Sequence, residues 1–335
     1  MRDTRAMVLP EEIATAAGRG QLDAVRNWLD ENSAHDVHDR SAYGDGFLTL
    51  AGGCLHLQNG NALIAFLLAR GVDVNQSALL RRPSVTTLQR EAVTTLHNVC
   101  FFHSPGGVEL LVSHGADVNA LTVETDQVLH SPLSFVAGSR DHFMAMGGDM
   151  ARLSHKAWLT GRTLTTLCRD IYSCIVLLLR AGAALDGQAA GGTRPEAFFD
   201  RRIGDIPPPE HPDFLPKMEL KRSRDLLAAV RAAGGTWRKW TLVPPKQVLV
   251  LRSLIARGRA REKATTPRRL AWLMSPHVPN EIAWRVLAYW NPRPVVVEER
   301  LRTAQAQSER EQRSIWEQRR RAAEARREAA AAAAV

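Results

Sequence analysis

The sequence predicts an all-α chain in which paired helices stack as a helix-turn-helix solenoid, followed by a helical C-terminal extension. Three observations carry this. A phrase made of an apolar helix end, a glycine and a short polar turn occurs three times. It reads Leu67-Leu68-Ala69-Arg70-Gly71-Val72-Asp73-Val74-Asn75, then Leu110-Leu111-Val112-Ser113-His114-Gly115-Ala116-Asp117-Val118-Asn119, and in worn form Leu178-Leu179-Arg180-Ala181-Gly182-Ala183-Ala184-Leu185-Asp186. Apolar residues elsewhere fall at helical spacing. At 45% hydrophobic, the chain can also build a sizeable core. A glycine just past a helix accepts the left-handed cap, and an Asp or Asn after it can bond its own backbone. A helix stop repeated at long spacing signals a solenoid, an architecture suited to binding partners.

The elements follow in order. Ile13, Ala16 and Ala17 share one helical face, Gly18-Arg19-Gly20 breaks the run, and Leu22, Val25, Trp28 and Leu29 form a second face. Residues 35–47 are polar and glycine-rich and form a first finger loop. Residues 47–70 give a second helix pair, Ser77–Arg90 a long second loop, and residues 92–114 a third pair. In a divergent fourth unit over 131–181, Leu167, Ile171, Ile175, Leu178 and Leu179 mark an amphipathic helix. A helix at 195–202 leads to Pro207-Pro208-Pro209-Glu210-His211-Pro212, an extended linker or turn. Met218–Ala233 is a helix that stops at Gly234-Gly235. Pro244-Pro245 is a break, a helix covers 246–257, and Pro279 opens another. Residues 296–328 form a charged, solvated helix before an alanine tail. The expected domains are a solenoid over 1–205, a proline-rich linker over 206–216, a basic tryptophan-rich helical region over 217–293, and a charged helix with its tail over 294–335.

The recurring phrase resembles the end of an ankyrin repeat. The second copy extends upstream as Thr95-Leu96-His97, which is similar to that family's Thr-Pro-Leu-His start. The other copies depart from the pattern: before Gly71 stands Thr49-Leu50-Ala51-Gly52, and before Gly182 the nearest match is Ser131-Pro132-Leu133-Ser134. The glycines are 44 and 67 residues apart, against a family period of roughly 33. The longer interval is one repeat with an insert, placed around 138–160, or two repeats with one eroded. The resemblance covers about 11–186 and extends towards 235. It implies that His97 bonds between neighbouring repeats rather than acting as a base. It also implies a concave surface of fingertips and inner helices on which a protein partner lies. Mapped onto this sequence, the fingertip candidates are Arg40, Tyr43, Asp45 and Phe47, then Arg81, Arg82 and Arg90, then Glu124 and Asp126.

Charge divides the chain. Residues 1–216 hold 18 Lys or Arg and 24 Asp or Glu, whereas residues 217–293 hold 17 and 4, within a chain of net charge +9. Such asymmetry points to different electrostatic roles for the two parts. The four cysteines form no Cys-x-x-Cys pair and no disulfide-like framework, and Cys100 is expected as a buried thiol. No apolar leader follows Met1, and the longest aliphatic run, Ile175 to Leu179, is too short to span a bilayer. A cytoplasmic or nuclear chain with no membrane contact is expected. Lys221-Arg222-Ser223-Arg224 and Arg319-Arg320-Arg321 resemble weak nuclear-entry signals.

No nucleophile elbow, phosphate-cradling loop or His-Glu-x-x-His motif is present, and His35 and His38 have no second pair at metal-ligand distance. The expected function is therefore non-enzymatic protein binding, with no cofactor and no metal. Two alternatives come from the C-terminal part. Val278-Pro279-Asn280-Glu281-Ile282 with Val286-Leu287-Ala288-Tyr289-Trp290 resembles the opening helix of an F-box. Ankyrin repeats joined to a C-terminal SOCS box, another ligase-docking module, are a familiar arrangement. The resemblance implies a ubiquitin-ligase adaptor that docks through Pro279, Ile282, Val286, Leu287 and Trp290. The second alternative is nucleic-acid association, because Trp237, Trp240, Trp272, Trp284 and Trp290 lie among most of the excess positive charge.

Overall fold

The computed structural model describes residues 8–32, 36–42, 44–54, 57–83, 88–122, 130–138, 149–185, 194–204, 207–208, 210–260, 268–275 and 277–289. The chain is mostly helical, with one β-hairpin among the described residues. It divides into two compact units, Met1–Val243 and Pro244–Val335.

The first unit is built from helix pairs. These are α1 (Glu11–Gly18) with α2 (Leu22–Glu31), α3 (Phe47–Gly52) with α4 (Leu57–Ala69), and α5 (Thr95–Phe101) with α6 (Pro105–Ser113). Next come α7 (Pro132–Ala137), α8 (Asp149–Leu159) and α9 (Leu164–Arg180), then α10 (Pro195–Ile203), α11 (Phe214–Ala232) and the short α12 (Trp237–Thr241). The helices form two rows. In one, α1, α3, α5, α7 and α10 pack each on the next; in the other, α2, α4, α6, α9 and α11 do so. Helix α8 belongs to neither row and packs on α9 and α10, so it is an extra helix within the expected insert. The starts are local chemistry. Ser104 and Ser131 each cap a helix with their hydroxyls, at Gly107 N–H and Ser134 N–H (both 3.3 Å), and Pro105 and Pro132 follow where a missing N–H costs nothing. The apolar faces of both rows meet in one core, with Phe47, Leu67, Leu96, Leu111, Phe135, Leu167 and Leu227 almost fully buried.

The repeated phrase has a bonding reason. Gly71, Gly115, Gly182 and Gly234 follow α4, α6, α9 and α11, all with positive φ, a region where a side chain is strained. Two residues past Gly71, Asp73 accepts the N–H of Asn75 at 2.9 Å; Asp117 does the same for Asn119 at 2.9 Å. Each asparagine then clasps the next turn. Asn75 donates to the Gly115 carbonyl at 3.3 Å and accepts from Asp117 N–H at 2.7 Å. Asn119 donates to the Gly182 carbonyl at 3.3 Å and accepts from Ala184 N–H at 2.7 Å. The same two bonds thus recur one pair further on.

Helix α8 is tied in by Lys156, which donates to the Phe101 carbonyl at 3.4 Å, and by Arg162 just past its end. Arg162 donates to the carbonyls of Phe102 (2.6 Å) and His103 (2.8 Å) and pairs with Asp170 at 2.8 Å. This joins the α8–α9 turn to the α5–α6 turn. At the end of α7, Gly138 has φ +91 and the guanidinium of Arg202 from α10 fills the space where a Cβ would stand.

Three expectations change. The second loop is a hairpin: β1 (Ser77–Pro83) runs antiparallel to β2 (Leu88–Thr94), with Ser77 opposite Thr94 and Pro83 opposite Leu88. Its two runs are long enough to close a ladder. The segment over 206–216 is not a domain boundary, because α11 packs on both α9 and α10 and keeps the first unit continuous to Val243. The break expected at Pro244-Pro245 coincides with the boundary between the two units; both prolines lie in the first turn of α13 (Val243–Ala256), where proline fits. Helix α14 (Arg268–Met274) was not expected. The charged helix expected over 296–328 lies outside the described residues.

In the second unit, α13, α14 and α15 (Asn280–Tyr289) enclose a small buried cluster of Leu273, Val278, Ala283 and Leu287, with Val248 and Leu249 against it. Arg252, 5% exposed, donates to the carbonyls of Leu273 and Val278 and to the Asn280 side chain at 3.3 Å. It fastens α13 to the turn before α15. No described helix is long and apolar enough to cross a membrane.

Candidate functional site

The loops on one edge of the helix rows are the first candidates, and the structure sorts them. The first finger is a tight turn closed by a single bridge between Arg40 and Gly46. Arg40 is half-buried, and its guanidinium donates to the carbonyls of Gly44 (2.9 Å) and Ser77 (3.0 Å), joining this turn to the base of the hairpin. Asp45 is not a surface contact. It is buried beside Arg40, and burial pushes its carboxyl above the usual range while Arg40 opposes this. Phe47 is not a contact either: it is the first residue of α3, 0% exposed, with its ring 6.0 Å from that of Trp28. Its place at the head of the run Phe47-Leu48-Thr49-Leu50-Ala51, at a helix start, marks it as core. Tyr43, Glu124 and Asp126 lie outside the described residues.

The second finger holds Arg81, Arg82 and Arg90. The register sets Arg81 opposite Arg90 and Arg82 opposite Gln89. These three are the fingertip candidates that the fold brings together on one element.

His97 is built into the packing. Its Nδ1 accepts from Thr94 N–H at 3.3 Å, and its Nε2 donates to the His130 carbonyl at 3.0 Å, 33 residues ahead. That set of partners requires the neutral ring with its proton on Nε2. Burial lowers its pKa to about 4, against smaller opposing effects of the His130 and Ala120 backbone. Phe135 meets the ring edge-on at 4.9 Å.

A buried cationic cluster was not foreseen. His103 is 0% exposed, has φ +52, and neither ring nitrogen has a partner among the described residues. Burial, and then Lys156, Arg202 and Arg162 around it, hold the ring neutral. Lys156 lies 3.8 Å above the Phe101 ring. The visible signal was two basic residues, Lys156 and Arg202, on otherwise apolar helix faces. All four cysteines are buried and none is in a disulfide, and burial raises the thiol pKa of Cys100, Cys168 and Cys174, Cys168 to about 12. Such thiols are poor nucleophiles. The described residues hold no group of three or more His, Cys, Asp or Glu able to bind a metal.

The C-terminal candidates divide in the same way. Ile282 (42% exposed) and Val286 (41%) stand one helical turn apart on α15, and Pro279 is exposed before them. Leu287 is not a docking contact: it is 1% exposed, in the core of the second unit. Trp290 lies outside the described residues. Of the tryptophans read as stacking platforms, Trp237 and Trp240 lie 4.8 Å apart and pack half-buried on the first unit's core, while Trp272 is 54% exposed. In the Lys221–Arg224 stretch, Lys221 pairs with Asp225 at 2.7 Å, Arg222 lies over Tyr172, and Arg224 pairs with Asp200 at 3.1 Å.

No protein-family model matches the chain, and no curated protein matches it.

Proposed function

We propose that the chain is a non-enzymatic interaction scaffold whose first unit is a solenoid of degenerate ankyrin-type repeats. A partner protein lies on the concave face lined by the row α1–α3–α5–α7–α10 and by the finger loops. The observation that carries this reading is the recurrence of one clasp. Asn75 and Asn119 make the same pair of bonds to the next turn, at Gly115 and at Gly182. Identical joints between successive units are what a stack of repeats requires, and such stacks present extended binding surfaces. The test is affinity capture with the full chain, followed by hydrogen exchange of the purified complex. Protection of residues 36–47, 77–94 and the inner helices is the expected result. Protection confined to α13–α15 would refute the concave-face reading.

A second reading is a ubiquitin-ligase adaptor that docks through the F-box-like helix. Exposure of Ile282 and Val286 on one face of α15 favours it. Capture of ligase subunits by the full chain, lost with Ile282→Asp, would support it.

A further inference from the structure

We propose that the cleft between α13 and the start of α15 is a binding site for a carboxylate carried on a compact apolar body. The site lies wholly within the second unit and does not depend on the scaffold reading.

The cleft itself is the first observation. It encloses about 740 Å³, within the roughly 300–1,000 Å³ of sites that hold small ligands. Helix α13 contributes Leu249, Arg252, Ser253, Ala256 and Arg257. Their spacing puts them on one face of that helix. Residues 278–281 form the facing wall. Val278 belongs to the buried cluster of this unit and Leu249 packs against it, so one side of the cleft is continuous with the apolar core.

Charge is the second observation. Arg252 is 5% exposed, yet its guanidinium meets only neutral acceptors, the carbonyls of Leu273 and Val278 and the side-chain oxygen of Asn280. Its Nε is buried without a hydrogen-bond partner. A buried cation with no counter-charge is costly. Arg257 lines the same cleft, is exposed, and has no carboxylate partner among the described residues. The start of α15 adds to the field. Its Ala283 N–H bonds the Pro279 carbonyl at 3.0 Å. The N–H groups of Asn280, Glu281 and Ile282 precede that bond, so the positive end of the helix dipole lies at the wall that Asn280 and Glu281 form.

Glu281 is the one carboxylate among the described lining residues. Two guanidinium groups and a helix start outweigh it, which disfavours a cation. It also repels a second negative charge, which favours a monoanion over a phosphate dianion. A carboxylate matches the planar fork of a guanidinium, and the Ser253 hydroxyl stands beside it as a further donor. The apolar side by Leu249 and Val278 suits an aliphatic body and gives a bare ion nothing to bury. Two sources carry this chemistry: a free monocarboxylic acid, and the C-terminus of a polypeptide that ends in an apolar residue.

The test uses the full chain with hexanoate, hexanamide, inorganic phosphate, and an acetylated tetrapeptide ending in leucine with a free or an amidated C-terminus. Calorimetry reads the affinity and hydrogen exchange reads the place. At least one free carboxylate should bind and protect residues 249–257 and 278–283, and its amide should bind about tenfold more weakly or worse. Arg257→Glu should weaken the carboxylate about tenfold or more, whereas Glu281→Gln, which removes the opposing charge, should tighten it severalfold. Both side chains are exposed, so neither substitution should move the melting curve. Binding of hexanoate alone assigns the site to a free acid, and binding of the peptide alone to a C-terminus. Amides that bind as tightly, phosphate binding in place of both carboxylates, or protection elsewhere in the chain would each overturn the proposal. So would affinities unmoved by both substitutions, or no binding by any probe at millimolar concentration.

Discussion

The two units differ in how much of their apolar surface they can hide. The first has a continuous core that runs through both helix rows, from Leu9 and Ala17 to Leu227 and Val230. The second buries a cluster of four residues, yet exposes Val250 (61%), Trp272 (54%), Ile282 and Val286. Stacking explains the contrast. Each helix pair in the first unit covers the next, whereas three short helices cannot cover one another. The first unit is thus organised to be stable and to present loops. The second leaves several of its large apolar side chains exposed to solvent.

The largest expected effect breaks the first unit. Phe135 is 1% exposed and lies beneath His97 and among the core residues of α5 and α7. Phe135→Ala should cost about 3–5 kcal/mol, read from urea unfolding followed by far-ultraviolet circular dichroism. A loss under about 1 kcal/mol would mean that the core is not continuous there.

Acid comes next. The folded-state pKa of His97 is lowered to about 4 from 6.5, so unfolding takes up a proton between those values. Its contribution is complete above pH 6.5, is lost as pH falls towards 4, and then stays flat. The loss amounts to roughly 3 kcal/mol. His103 and His130 are shifted in the same direction by burial and add to it. The unfolding midpoint should fall across that window, and His97→Asn should flatten the fall by about one proton's worth. An unchanged slope would show that His97 is not held neutral.

The clasps come third. Asn119→Ala removes the bond to the Gly182 carbonyl and leaves Ala184 N–H without its acceptor, a loss of about 1–3 kcal/mol. Asn75→Ala should cost a similar amount, since its bonds are the same. Unequal costs, measured by thermal melting, would show that the two joints differ in strain.

These joints also show what could be read in the chain. The Gly-x-Asp-x-Asn phrase was legible because backbone geometry demands those residues, and it located the ends of α4 and α6 correctly, while the worn copy at Gly182 located the end of α9. The starts of the opposite helices were harder. The second pair is expected from residue 47, where α3 does begin, but the repeat start aligned on Thr49-Leu50-Ala51 is two residues late, since Phe47, Leu48 and Thr49 are the counterparts of Thr95, Leu96 and His97. Without a Thr or Ser cap, only burial of Leu48 reveals the alignment. The hairpin was missed because its register is long-range information that no local signal specified. Phe47 and Asp45 were misread as contacts because a polar, glycine-rich loop surrounds them, while their burial depends on packing against α2 and on Arg40. Helix α8 carries no repeat landmark, and Arg162 ties it to a turn 59 residues away, which local pattern cannot show.

The smallest expected change in stability sharpens the comparison most. Ile282 and Leu287 lie on the same ten-residue helix, one 42% exposed and the other 1%. Leu287→Asp places a charge in a four-residue core and should unfold the second unit alone, because buried unpaired carboxylates are costly. Ile282→Asp should shift stability by less than about 0.5 kcal/mol, as surface changes do. If α15 docks a partner, that nearly silent substitution should abolish capture, while the first unit's hydrogen-exchange pattern stays as it was. If capture persists with Ile282→Asp, the exposed face of α15 is not the contact, and Val250 and Trp272 become the residues to substitute next.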